Sequence, residues 1–304
     1  MSAKEIVIIS AKGGVGKTTL TSSLAIALSK KTKLVVADTD VDAPNLGIVL
    51  GFKKTAEHPI QASEKAFINW DRCTHCGKCV EVCKEGALTM VNEKLHFTYE
   101  LCEGCGVCAL VCPEKAIDIK RVNSGVIAVG TTEYDIPCVI GQLNIGEAAS
   151  GQLVTTAKRL AQIEAWKHKA ELILIDGPPG SSCPTISSVT GSSYVILVTE
   201  PTPAALSDLK RAQGVAAHFK VPHGIVINKA DLVEGFKAEV YAYAKEMGIK
   251  ILGEIPVDNN VPYAIANGKP IIVQNPESPA SKEISKIADR LVEIIKHIKP
   301  PISG

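Results

Sequence analysis

Residues 11–18 read Ala-Lys-Gly-Gly-Val-Gly-Lys-Thr. A β-branched run at 6–9 comes before them, and Leu20, Leu24 and Leu28 follow at helical spacing. Strand, Gly-rich turn and helix, in that order, make a phosphate cradle. Gly13, Gly14 and Gly16, with Val15 among them, let backbone N–H groups turn inward, and the helix start adds a favourable dipole. Lys17 is expected to reach the β- and γ-phosphates. The Thr18 hydroxyl, with Thr19 beside it, is expected at magnesium and nucleotide.

Working outward, residues 34–37 read as a second strand closed by the acidic loop Asp38-Thr39-Asp40-Val41-Asp42. Residues 172–175 form an apolar strand ending in Asp176 and Gly177-Pro178-Pro179-Gly180. Further buried strands are expected at 194–198, 224–227 and 251–255, with helices near 151–168, 203–218, 234–247 and 280–298. This alternation predicts an α/β fold, with a mainly parallel P-loop NTPase sheet and helices on both faces.

The rhythm breaks between 60 and 121. There Cys73, Cys76, Cys79 and Cys83 recur 29 residues later as Cys102, Cys105, Cys108 and Cys112, and Gly77 recurs as Gly106. The expected organisation is one discontinuous domain, 1–59 and 122–304, holding an inserted ferredoxin-like α+β module at 60–121. Residues 122–142 read as strands and turns that lead back to the main sheet. Each cysteine run is Cys-x2-Cys-x2-Cys-x3-Cys, the spacing of paired 4Fe-4S clusters in which the fourth cysteine crosses to the other cluster. One cluster is expected on Cys73, Cys76, Cys79 and Cys112, the other on Cys102, Cys105, Cys108 and Cys83. The second run ends in Cys112-Pro113, whereas the first ends in Cys83-Lys84, a departure from the usual proline. Structural zinc is the rival reading, but it needs only four ligands and no triple run.

Ten cysteines in a secreted chain would suggest disulfides. The N-terminus lacks a secretory pattern and no stretch is long enough to span a bilayer, so a reduced, cytoplasmic setting is expected, with the thiols on metal. A net charge of +1 points to no nucleic-acid partner. Ile284, Ile287, Leu291, Ile294 and Ile298 share a helical face that is expected to dock on the core rather than insert in a membrane.

Lys12 is a second lysine within the cradle, and Lys12-Gly13-Gly14-Val15-Gly16-Lys17-Thr18 resembles the deviant motif of the MinD/ParA/Mrp family of P-loop ATPases. The resemblance implies ATP and Mg2+ as ligands. It also implies ATP hydrolysis in a dimer, either a homodimer or a heterodimer with a related ATPase, with Lys12 acting on the partner's nucleotide. By the same resemblance, Asp40 orients or deprotonates the attacking water, Asp38 supports the magnesium shell, and Asp42 is an alternative for either role. Asp176 holds a magnesium-bound water, Gly180 offers its N–H near the γ-phosphate, and Asn228 contacts adenine. Asn228-Lys229-Ala230-Asp231 also matches the guanine-reading run of GTPases, which keeps GTP as an alternative. Cys183 falls seven residues after Asp176, as a cluster ligand does in the nitrogenase iron protein, but the second ligand would fall near Ala148 and is missing. Two Cys183 thiols meeting across a dimer are one reading, and a buried structural thiol is the other. Cys138 is expected in the core.

The chain as a whole resembles MinD-superfamily ATPases with an inserted ferredoxin domain. That implies nucleotide-driven change coupled to electron transfer or to assembly of iron–sulfur or other metallocentres, with a redox or metalloprotein partner. The alternative is a ParA/MinD-like positioning ATPase whose clusters are structural. The insert leaves the sheet after the acidic loop 38–45, on the side where ligands bind, so movement of that loop is expected to reach it.

Overall fold

Ile6 and Ile8 of the first strand pack into one apolar cluster, while Val7 and Ile9 pack into another. Successive side chains of a strand point to opposite faces, so a continuous apolar run means a sheet covered on both sides. The computed structural model describes residues 2–10, 12–147, 150–233 and 235–301. Ala11, Ala148 and Glu234, which the sequence placed in the cradle, at a missing ligand position and at a helix start, lie outside the described residues.

The first part of the chain forms β1 (Lys4–Ser10), α1 (Lys17–Ser29), β2 (Leu34–Asp38), α2 (Leu46–Val49) and β3 (Lys53–Ile60). Then come β4 (Ser63–Ile68), α3 (Lys78–Val82), β5 (Leu88–Val91), β6 (Lys94–Phe97), a 3-10 turn at Tyr99–Leu101, α4 (Val107–Val111) and β7 (Ile117–Val122). The chain continues through β8 (Gly125–Thr131), β9 (Pro137–Leu143), α5 (Ser150–His168), β10 (Leu172–Pro179), α6 (Cys183–Val189) and β11 (Tyr194–Thr199). It ends with α7 (Pro203–His218), β12 (His223–Asn228), α8 (Lys237–Glu246), β13 (Lys250–Ile255), α9 (Asn260–Ala266), α10 (Ile271–Gln274) and α11 (Pro279–His297).

Nine strands form one sheet in the order β13-β12-β11-β1-β10-β2-β9-β8-β3. The seven strands from β13 to β9 are parallel, and β8 and β3 continue the edge antiparallel. One face carries α1 and α11, with Ile284, Ile287 and Leu291 buried against the sheet as their spacing predicts. Among the described residues, no helix is long and apolar enough to cross a membrane.

β3 runs parallel to β2, so Ile60 ends at the same sheet edge as the cradle. There Ile60 pairs with Gly125, and Gly125 pairs with Leu143. Between Ile60 and Gly125 the chain builds a separate small core. β4 pairs with β7, β5 pairs with β6, and α3 and α4 pack together. Three of the eight buried residues in this core are cysteines: Cys79, Cys102 and Cys108. A core this small buries little hydrocarbon to offset the ordering of the segment around it.

The internal repeat is visible in the backbone. Gly77 and Gly106 hold φ of 77° and 78°, and each leads into a short helix. His75 (φ 55°) corresponds to Gly104 (φ 67°). A left-handed backbone alone therefore does not demand glycine at this place; the contact does. A Cβ on Gly104 would lie 2.0 Å from the Glu64 carbonyl oxygen on β4. Gly104→Ala is expected to destabilise the module by about 2–4 kcal/mol. Hydrogen exchange across residues 97–122 should accelerate while the main sheet stays protected.

Candidate functional site

Gly13, Gly14, Gly16, Lys17, Thr18 and Thr19 line a cavity of about 600 Å³ at the carboxyl edge of the sheet. Gly16 takes φ 93°, and a Cβ there would lie 2.3 Å from the Asn228 amide nitrogen. Only glycine meets both constraints. Asn228 donates to the Val15 carbonyl at 2.8 Å. It is tied to the loop in this way and is not among the described residues lining the cavity. Asp231 accepts the Val257 N–H at 2.6 Å.

The carboxylates divide their work. Asp40 accepts from Lys17 at 3.4 Å and lines the cavity with Asp42. The Thr18 hydroxyl donates to Asp176 at 2.6 Å, and Thr21 donates to its other oxygen at 2.9 Å. Asp38 differs from expectation. It is fully buried and accepts three backbone N–H groups, from Asp40, Asn45 and Leu46, so it holds the shape of the acidic loop. Gly180 donates its N–H to the Ser10 carbonyl at 2.8 Å.

Burial pushes the carboxyls of Asp38, Asp40 and Asp176 up. The Asp176 carboxylate raises Asp38 further, while Lys17 opposes the rise at Asp40 and Asp176. An acid whose folded pKa is raised binds protons more tightly folded than unfolded. The nucleotide-free protein should therefore lose stability as pH rises from the ordinary carboxylate range through the raised values. Melting in EDTA should show a Tm that falls as pH rises from the ordinary carboxylate range, and magnesium nucleotide should flatten the fall.

Lys12 is half-exposed and pairs with Glu200 of the same chain at 2.9 Å; Lys229 pairs with the other oxygen at 3.2 Å. Sequence reasoning missed Glu200. Its signal was an acid directly after an apolar strand, on the ligand side of the sheet. It also missed the cavity's apolar wall, which Ile48 and Val49 form on one side and Ala264, Ile265 and Ile271 on the other. These residues carry no chemical group that marks them in a sequence.

In the small module, Cys73, Cys76, Cys79 and Cys112 line one cavity; Cys83, Cys102, Cys105 and Cys108 line a second, of about 260 Å³. Each set draws three thiols from one half of the repeat and one from the other. Burial pushes the Cys79 and Cys108 thiols up, and the neighbouring sulfurs add to this. Such crowded thiols can ionise together only around a positively charged group, so this donor set fits a metal cluster. Among the described residues, no group of three or more His, Cys, Asp or Glu side chains stands close enough to hold a single metal ion. Backbone N–H groups reach two sulfurs: Ala66 donates to Cys102 at 3.4 Å and Ala116 to Cys112 at 3.3 Å. Cys138 is buried, whereas Cys183 is exposed at the start of α6, against the reading of a buried structural thiol.

Comparison with known proteins agrees with this architecture. Residues 6–271 match the CobQ/CobB/MinD/ParA nucleotide binding domain. An uncharacterized protein of Methanocaldococcus jannaschii is 38% identical over 291 residues, covering 96% of this chain and 97% of that protein. A Pyrococcus horikoshii protein named iron-sulfur cluster carrier protein is 26% identical over 97% of this chain and 88% of its own length. Among solved structures, the septum site-determining protein MinD of Pyrococcus horikoshii, complexed with Mg-ADP, superposes with a TM-score of 0.61. It is 22% identical, and the match covers 96% of this chain and 97% of that one. With its cradle, strand order and cavity in place, the chain belongs to the CobQ/CobB/MinD/ParA family of nucleotide-binding P-loop proteins.

Proposed function

We propose that this chain is a dimeric, ATP-hydrolysing iron–sulfur protein in which the nucleotide state governs two 4Fe-4S clusters. The observation that carries the reading is the crossed gathering of eight cysteines round two separate cavities, in a chain that also has a cavity lined by Gly13, Gly14, Gly16, Lys17 and Thr18. Thiols that ring a space suit a cluster better than a single zinc ion.

Lys17 and the cradle N–H groups would hold the phosphates, and Thr18 would turn from Asp176 to magnesium, leaving Asp176 to orient a metal-bound water. Asp40, released from Lys17 by the phosphates, would position the attacking water. Lys12 would leave Glu200 to reach a partner subunit's nucleotide. Asn228, tied to the cradle, would support the base, which we take as adenine because the similar MinD structure holds Mg-ADP. Asp38 would act on magnesium only through the loop it shapes.

The clusters, when bound, supply one-electron chemistry. Complete cysteine ligation favours the role of relay to a redox or metalloprotein partner. The carrier names of several relatives favour metallocentre assembly as the process served. The ferredoxin-like module would span about 60–121, between the two parts of the ATPase domain. Protein purified without oxygen should contain iron and acid-labile sulfide in equal amounts and bind ATP in preference to GTP. Zinc in place of iron, or undetectable nucleotide binding, would sink this reading.

A further inference from the structure

Lys65 is among the largest fully buried side chains of the molecule, on β4 of the small module. A buried lysine is rare unless its donors are used. Its amine donates to the Gly146 carbonyl at 2.9 Å and to the Tyr99 carbonyl at 3.4 Å, and Glu147 stands 3.9 Å away. Glu147 is buried as well. It accepts from the Tyr99 hydroxyl at 3.4 Å and from Ser63. Lys65, Tyr99 and Ser63 belong to the module, whereas Gly146 and Glu147 follow β9 of the main sheet. The network therefore crosses the boundary between the two cores.

Both ends of this network lead to chemistry. Toward the nucleotide, the Leu143 N–H at the end of β9 donates to the Val41 carbonyl at 2.8 Å. Val41 adjoins Asp40, whose carboxylate holds Lys17. Toward the thiols, Tyr99 opens the short turn that leads into Cys102, and Ala66, next to Lys65, donates its N–H to the Cys102 sulfur. Along the covalent chain, by contrast, the acidic loop reaches the module only through α2 and the whole of edge strand β3.

We propose that segment 143–147 is the joint through which the nucleotide site acts on the second cysteine set, with Lys65, Glu147 and Tyr99 as its positioning residues. The inference rests on the reading that nucleotide moves the acidic loop. When phosphates draw Lys17 from Asp40, the loop shifts at Val41 and carries Leu143 with it. Buried hydrogen bonds transmit the displacement because breaking them leaves unpaired polar groups in the core. A packed joint of this kind switches between arrangements rather than stretching. The structure supplies the contiguous contacts, and the coupling itself is a matter for measurement.

The test is hydrogen exchange on the full-length holoprotein under anaerobic conditions, with and without a non-hydrolysable ATP analogue and magnesium. In the wild type, exchange should change both across 38–46 and across 97–106. In Glu147→Gln and Lys65→Met the change at 38–46 should persist and the change at 97–106 should be lost, with iron content retained. Tyr99→Phe, which removes one hydroxyl and is the safest for folding, should diminish the distal change. A purely structural role would shift baseline exchange equally with and without nucleotide. A wild-type response at 38–46 alone, or variants that keep the distal response, would overturn the joint and leave the proposed function standing. No response anywhere, with the analogue shown to be bound, would overturn both.

Discussion

Lys17→Ala is expected to lower ATP turnover by about 10²–10³-fold, the usual effect of removing one preorganised charge from a phosphoryl-transfer site. The side chain is only 7% exposed, at the start of α1, and it pairs with Asp40. Phosphate oxygens would take over that contact, so the same amine serves two partners in turn. Lys17→Ala removes both interactions. It also withdraws the cation that opposes the upward shift at Asp40 and Asp176, so stability should fall more steeply as pH rises from the ordinary carboxylate range, besides the loss of turnover. Asp40→Asn separates the two effects. It should retain nucleotide binding and lose turnover, because Lys17 remains while the group expected to position water is neutral. Turnover at or near the wild-type rate in either variant would remove Lys17 and Asp40 from the assigned roles.

Cys112→Ser is expected to empty the cavity lined by Cys73, Cys76 and Cys79, although Cys112 lies in the other half of the repeat. Cys83→Ser should empty the cavity lined by Cys102, Cys105 and Cys108. Each variant should lose about half of the iron, and each should leave a different cluster signature by electron paramagnetic resonance. A sequential arrangement, with each run of four cysteines holding its own cluster, would give the opposite pairing of variant and signature. Because the cysteines contribute so much of the small core, both variants should also open the module to protease while the nine-stranded sheet stays folded.

Much of this architecture can be read from the sequence. Apolar runs that end in Gly-rich or acidic loops locate β1, β2 and β10, because a strand buried on both faces has no polar alternation to obscure it. Leucines at helical spacing locate α1, and the isoleucine stripe locates α11. The cysteine spacing carries its own crossing rule, and the thiols gather in the corresponding fours. Other features are set by tertiary packing. Edge strand β3 is almost wholly exposed and reads Lys-Lys-Thr-Ala-Glu-His-Pro-Ile, with no strand periodicity. Helices α9 and α10 are too short for a periodic pattern to emerge. Asp38 resembles a metal ligand in sequence, and only the three N–H groups that converge on it show that its oxygens are already engaged. Lys65 and Glu147 are 82 residues apart and look like ordinary surface charges until the fold buries them together. Paired burial of this kind has no local signature.

As proposed above, nucleotide and thiolate-bound iron act on one another within this chain. The most direct measurement is ATP turnover by anaerobically prepared protein, with its iron first oxidised and then reduced and all else held constant. A rate that differs between the two redox states, and that becomes indifferent to redox state in Glu147→Gln, is the expected result. Identical rates in both states for the wild type, with iron and sulfide fully present, would show that the two sites do not act on one another.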